Sequence, residues 1–376
     1  MLNMGDTSST MEASAAAIIS PPRRLTIKKR AVLGLMASIL GLMTFQNYYN
    51  SISLVDDSLS QRQLSSSWIE RHPERGVSAW ARNNFRPLSA APGEKETVLF
   101  WHIPKSGGTT AKSIYRCLDQ TIASRLPPSV SRTNDKELIE FKPYGERGGT
   151  YVNVDMTTRS GMLRAEKMGL VASGKADMLF AMDPSFAGEH LYDKEHKGRI
   201  LGLFRHPVDR LASKFYYLQK ADWEQSYRPQ WADMSILEWA EKHNKESNVM
   251  VKKLAGVKFH DTATEAALRV AMRTLEKRFV VGLTDNMKES IRRFNIVMNI
   301  DGKTQRSQIR TCMKKFFGHG TLKTNSNPHP KLEPGSPAWD VLARDNALDI
   351  QLYEYILVLF DQQEEVINSY ARGISQ

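Results

Sequence analysis

The stretch from 97 to 118, TVLFWHIPKSGGTTAKSIYRCL, decides how the rest of the chain is read. Val98, Leu99, Phe100 and Trp101 form a short apolar run without alternation, the pattern of a strand buried on both faces. Gly107 and Gly108 then mark a turn, and beyond them Ala111, Ile114, Tyr115 and Leu118 recur at the spacing of one helix face. A strand, a glycine turn and a helix in that order aim backbone N–H groups and the positive end of a helix dipole at one spot, which suits an anion. The glycines let the backbone come close to it, and Thr109 and Thr110 add hydroxyl donors. Lys105 precedes both glycines and no Gly-x-x-x-x-Gly-Lys-Ser/Thr occurs, so the stretch departs from the phosphate loop of ordinary ATPases and GTPases. Taken alone, Lys-x-Gly-Gly is more often the pattern of an ordinary turn.

A second stretch of the same kind, RILGLFRHPVDRLASKFYYL, runs from 199 to 218. It too reads as a strand leading into a helix. Pro207 suits a first helical position, and Asp209 in the first turn complements the dipole. Arg205 leaves the strand end and Ser213 follows on the helix. An arginine fork with a hydroxyl makes a cradle for a second phosphate.

Taken together, PKSGGTT (104–110) and RHPVDRLAS (205–213) resemble the paired donor-binding motifs of sulfotransferases, most nearly the Golgi carbohydrate sulfotransferases, the group that includes heparan sulfate 2-O-sulfotransferase. The resemblance spans roughly 95 to 365, and it is strong at the two motifs and weaker between them. It implies 3′-phosphoadenosine 5′-phosphosulfate (PAPS) as co-substrate, with Lys105, Ser106, Gly107, Gly108, Thr109 and Thr110 at its 5′ end and Arg205 and Ser213 on its 3′-phosphate. NVMVKKLAG (248–256) and VVGLT (280–284) resemble later family segments, and LKTN (322–325) resembles a loop that closes on the donor through Lys323 and Thr324. It also implies a base for the acceptor hydroxyl just past the third strand, often within a Gly-His pair. Here that strand ends FAMDPSFAGEH (180–190), and Asp183 stands where Gly-His would be. Asp183 or His190 is the expected base, with Glu189 behind them. An Asp-Pro turn former and a solvated surface histidine are the plain alternatives. No metal is expected.

From Thr97 onward strand and helix patterns alternate. Strands are expected at 98–102, 151–154, 178–182, 200–204 and 279–282, and helices at 109–118, 157–168, 208–218, 234–243, 264–276, 286–299 and 336–368. The expected fold is therefore α/β: a three-layer sandwich of the P-loop nucleotide type around a central, mainly parallel five-stranded sheet, preceded by one transmembrane helix. His102 and His206 read as structural neighbours of the motifs.

The N-terminal part carries the address. Residues 1–22 are rich in Ser, Thr and Ala and are expected to be a disordered cytosolic tail. RRLTIKKR (23–30) then precedes an uncharged span to Asn50 that ends near Tyr48 and Tyr49, an interfacial aromatic pair. Residues 23–50 read as a signal anchor with the N-terminus cytosolic, 51–94 as a stem and 95–376 as the catalytic domain. A cleaved signal peptide is the rival, but the basic run lies deep in the chain and no small-residue cleavage site follows the span. The expectation is a single-pass type II Golgi membrane protein with a lumenal catalytic domain.

Composition sets the outer bounds. At 376 residues and 41% hydrophobic, the chain can bury a large core. Its net charge of +11 points to an anionic partner, and would suit an acceptor polysaccharide that is already anionic. Nothing in the pattern suggests a nucleic-acid partner. Two cysteines, Cys117 and Cys312, exclude a disulfide framework and a thiolate zinc site, and leave open one disulfide or two small buried hydrophobes. A glycosyltransferase would usually carry an Asp-x-Asp metal site, which is absent from the sequence. A sulfotransferase acting on a small alcohol or sterol, and a non-catalytic nucleotide-fold binding protein, are the alternatives that remain.

Overall fold

A computed structural model describes residues 74–374, apart from 92, 94, 95, 127–135, 144–148, 225 and 319–328. The expected tail, the signal anchor, most of the stem, and Lys323 and Thr324 lie outside the described residues. Among the described residues no helix is long and apolar enough to cross a membrane.

Seven strands form the sheet: β1 (Val98–Trp101), β2 (Ile122–Ser124), β3 (Glu140–Phe141), β4 (Tyr151–Asp155), β5 (Met178–Ala181), β6 (Arg199–Phe204) and β7 (Phe279–Leu283). Their order is β3-β4-β2-β5-β1-β6-β7. All neighbours run parallel except the edge strand β3, which is antiparallel to β4. This corrects the expected five strands to seven. The five expected strands are all present. The two added ones are three and two residues long, too short to show a period, and the sheet rather than the local sequence holds them extended.

The helices before β6 are α1 (Ala79–Asn84), α2 (Gly108–Cys117), α3 (Arg159–Lys167) and α4 (Pro184–Leu191). After β6 come α5 (Pro207–Leu218), α6 (Ile236–Lys242), α7 (Val249–Ala255) and α8 (Glu265–Arg278). After β7 come α9 (Met287–Val297), α10 (Ile300–Lys303), α11 (Arg306–Phe317), α12 (Pro337–Asp345) and α13 (Ala347–Ile374).

Alternation along β1 divides the core. Leu99 and Trp101 face the layer made by α3, α4, α7, α8 and much of α13, whereas Val98 and Phe100 face α2, α9 and α11. Helices thus cover both faces, which is why the strands are apolar on both sides. Beyond the sheet, Val208, Leu211 and Phe215 of α5 pack with Trp239 of α6 and Leu342 of α12.

The compact unit begins at Glu74, earlier than the expected domain start at 95. Trp80 and Phe85 are core residues. Buried Arg199 holds the segment before β1, bonding Glu96 at 2.6 Å and the carbonyls of Ala90 and Ala91 at 2.7 and 2.6 Å.

The expected helix over 336–368 is two helices. Asn346 breaks it with φ −124° and ψ 30°, because its side chain is used elsewhere. Asn346 Oδ1 accepts from Asn248 N–H (3.1 Å), and Asn248 Oδ1 accepts in return from Leu348 and Asp349 N–H (2.9 and 3.0 Å). Asp349 then accepts from Met250 and Val251 N–H at 3.0 and 2.8 Å. The first turns of α7 and α13 therefore cap each other. A disulfide, Cys117–Cys312, joins the end of α2 to α11 across 195 residues.

Candidate functional site

The parallel strands all end on one edge of the sheet. From β1 the chain crosses through α2 to β2 on one side, while from the adjacent β6 it continues to β7 on the other. Connections leaving in opposite directions open a crevice between the carboxyl ends of β1 and β6, the usual ligand position in such sheets. Residues 102–110 and Arg205 lie there.

The loop is built by its glycines and held from β7. Gly107 is the N-cap of α2 at φ 83° and ψ 4°, a left-handed conformation, and Lys105 is also left-handed at φ 67°. A non-glycine residue at positive φ is uncommon, and its persistence at a crevice is a pointer to a site. Thr284, just past β7, donates from its hydroxyl to Ser106 O at 3.0 Å. A Cβ on Gly108 would fall 2.2 Å from the ring of His102, so only glycine lets the loop lie this low.

The start of α2 is open. Its first backbone bond runs from Ala111 N–H to Gly107 O (3.1 Å), no side chain among the described residues caps it, and its first turn has no acidic residue. The N–H groups of Gly108, Thr109 and Thr110 are left for a ligand. Ser106 Oγ is buried and has no hydrogen-bond partner among the described residues. These orphaned donors and the glycine cradle fit an anion with several acceptor oxygens.

Lys105 and Arg205 flank this opening. Arg205 Nη1 donates to Lys105 O at 3.4 Å, and the Lys105 ammonium lies 3.9 Å from the centre of the Tyr217 ring. Burial and the Arg205 charge push Lys105 below the usual lysine range, while Glu224 pulls it up. Ser213 is buried on α5, in the same strand–helix unit as Arg205. His102 is driven down to about 4 by burial and by Lys112, and stays neutral under the loop. His206 stacks on Trp339 with ring centres 5.1 Å apart, a packing role as expected.

Beside the loop, a cavity of about 270 Å³ is lined by Pro104, Asp183, Arg159, Lys253, Arg210 and Glu246, with an apolar wall that includes Trp101 and Phe259. Asp183 is the N-cap of α4. One carboxylate oxygen accepts from Ser185 Oγ (2.9 Å) and Phe186 N–H (3.3 Å), and the other meets the Lys253 ammonium and Arg159 Nη2, the latter at 3.5 Å. Burial opposes its ionisation, but Lys253, Ser185 and Phe186 together hold it below the usual carboxylate range. Deeper in, Glu246 lies 2.7 Å from Arg210 and 2.6 Å from Lys214.

The structure brings together Lys105, Ser106, Gly107, Gly108, Thr109, Thr110 and Arg205, and sets Asp183 at the end of the neighbouring strand β5. It does not bring His190 there. The carbonyl of Gly188 accepts from Asn84 Nδ2 (2.7 Å), and Asn84 O in turn accepts from Gly198 N–H (3.3 Å), immediately before β6 begins. The end of α4 therefore lies at the amino edge of the sheet, about 10 Å of helix away from Asp183. His190 Nδ1 instead pairs with Glu166 Oε2 at 3.0 Å. Glu189, also at that end of α4, is exposed. Lys253 and Arg159 were not expected at the site. Lys253 lies within the family-like segment 248–256, which was a usable signal, whereas Arg159 carried none. Among the described residues no group of His, Cys, Asp and Glu side chains could hold a metal ion.

Comparison of the chain with the profiles of known protein families finds no match, and comparison with curated proteins finds none either.

Proposed function

We propose that the chain is a sulfotransferase of the P-loop nucleotide type, which moves the sulfuryl group of PAPS to a hydroxyl of a glycan. The observation that carries this is the open N-terminus of α2 behind Gly107, with Lys105 ahead of it and Arg205, just past β6, donating to the Lys105 carbonyl. Bound there, PAPS would supply a sulfuryl group on a phosphate leaving group, so that transfer depends on positioning and charge stabilisation.

The chain's own groups divide that work. The N–H groups of residues 108–110 and the hydroxyls of Ser106, Thr109 and Thr110 hold the 5′ oxygens. Lys105 stabilises charge as it develops on the leaving oxygen, and its partial burial strengthens the effect. Arg205 and Ser213 take the 3′-phosphate; Lys323 and Thr324, which the resemblance assigns to the donor, lie outside the described residues. Asp183 takes the acceptor's proton. It is ionised and lines the cavity, but its lone pairs are shared with Lys253, so an acceptor hydroxyl must take over one of those bonds. The cavity is near the lower end for small-ligand sites, ~300 Å³, which suits one sugar ring at a time.

The proposal extends to a type II Golgi membrane protein. The basic run before the span at 31–50 supports that orientation, and the Cys117–Cys312 disulfide supports an oxidising lumen. The test is incubation of the full-length chain with labelled PAPS and a panel of glycans and small hydroxyl compounds. Lys105→Ala should lower transfer about 10²–10³-fold, and unchanged transfer in that variant would refute the mechanism. The product nucleotide, 3′-phosphoadenosine 5′-phosphate (PAP), should raise the melting temperature where ATP and sugar nucleotides do not.

A further inference from the structure

A second group of cations stands beside the loop. Lys112, on the second turn of α2, donates to Ser124 Oγ at the end of β2 (3.3 Å), and Arg125 is the next residue. Lys112 is half-buried. Burial and the charges of Arg116 and Arg125 hold it below the usual lysine range, and the partner of its ammonium is a neutral hydroxyl. Like charges gathered at a partly desolvated spot are unfavourable unless an anion joins them.

Among the described residues, Glu224 brings an anion to this group. It belongs to the segment after α5, and α5 follows β6, whereas Arg125 follows β2; β5 and β1 lie between those two strands. Glu224 Oε1 lies 3.3 Å from Arg125 Nη1 and accepts from the Tyr217 hydroxyl at 2.8 Å. The ring of that tyrosine is the one under the Lys105 ammonium. One carboxylate thus reaches over the crevice to stand between Lys105 and Arg125, with Lys112 behind them. The Arg125 side chain is 57% exposed, and such a rim ion pair contributes little to stability. The arrangement is that of an anion site filled by the chain's own carboxylate.

We propose that Lys112 and Arg125 form an oxyanion subsite that takes a sulfo group once Glu224 swings away. The proposal rests on the sulfotransferase reading above. A sulfo group offers three oxygens, enough for the arginine fork, the Lys112 ammonium and the Ser124 hydroxyl. It can come from two sources, the donor's transferable group or a sulfate ester already on the acceptor.

Calorimetry on the full-length chain and its Arg125→Gln and Glu224→Gln variants separates them. The probes are PAPS, PAP (which lacks the sulfo group), a sulfated hexasaccharide and its desulfated form. Arg125→Gln should weaken either PAPS and not PAP, or the sulfated and not the desulfated saccharide, by about 10-fold. Glu224→Gln should strengthen the same ligand several-fold, because it removes the competing charge. The proposal is overturned if both variants leave PAPS and the sulfated saccharide within about twofold of wild type. It is equally overturned if Arg125→Gln weakens all four ligands alike. If neither PAP nor PAPS binds the wild type, the donor reading fails, and the saccharide pair alone decides the subsite.

Discussion

Gly108→Ala is the sharpest probe of the loop. Gly108 is the first residue of α2 and its φ is not positive, so alanine meets no backbone strain. On helix propensity alone the change would stabilise by up to about 1 kcal/mol. The added Cβ, however, would fall 2.2 Å from His102 Cδ2 and 2.7 Å from Nε2. That ring cannot turn away easily. His102 N–H donates to Ala181 O at 2.8 Å, and the ring sits edge-on to Phe180 at 6.3 Å. An ordinary contact requires about 1 Å of separation more than the loop leaves, so the loop must lift. Overpacking of this kind costs about 1–3 kcal/mol, which leaves a net loss of about 0–2 kcal/mol in urea unfolding. The larger effect is functional: displacing the N–H groups of residues 108–110 by that distance should weaken PAP binding about 10-fold or more and slow transfer about 100-fold. His102→Ala in the same chain removes the obstacle, and the pair should show a coupling of about 1–2 kcal/mol in both stability and PAP affinity. Wild-type PAP affinity in Gly108→Ala, or no recovery in the double variant, would refute the account of the loop.

Three further outcomes are expected. Replacing Cys117 and Cys312 with serine should lower stability by about 2–5 kcal/mol, since the disulfide closes a 195-residue separation, and urea melts with and without reductant measure it. Asp349 is raised to about 6 by burial. An acid whose folded value lies above its unfolded value contributes stability at low pH and loses it as pH rises, here by about 3 kcal/mol between pH 4 and 6; Asp349→Asn should flatten that slope in unfolding curves taken across the window. For Glu246 burial raises the carboxyl, but Arg210 and Lys214 outweigh it and hold it at about 2. Its contribution is present above pH 4.5 and fades as pH falls toward 2, so Glu246→Gln should cost about 3 kcal/mol at pH 7 and show less acid dependence.

The strands that carry the site were readable because each is a short apolar run ending at a chemically marked residue: His102 after β1, Asp183 after β5, Arg205 after β6 and Thr284 after β7. α4 was readable in principle. Asp183 at the N-cap with Pro184 at the first helical position is a helix start, although the same pair also reads as a turn. α11 was readable too, since Ile309, Cys312, Met313, Phe316 and Phe317 stand at i, i+3, i+4, i+7 and i+8 and face the core, although no helix was expected there. The placement of His190 was not readable, because its distance from Lys105 depends on which end of α4 faces the crevice. The same holds for the meeting of Arg125 with Glu224, which are 99 residues apart in the chain.

By itself the sequence determined the local grammar of this protein: apolar strands buried on both faces, a glycine pair at the turn from strand to helix, and a lysine and an arginine leaving two strand ends. These follow from side-chain period and backbone freedom, which act within a few residues. Only the tertiary structure decided that β1 and β6 are neighbours, that α2 begins uncapped in the crevice between them, and that Lys253 engages Asp183 while Glu224 stands between Lys105 and Arg125. Those contacts depend on strand order and on the end of each element that faces the site, and strand order is set by the packing of the whole sheet.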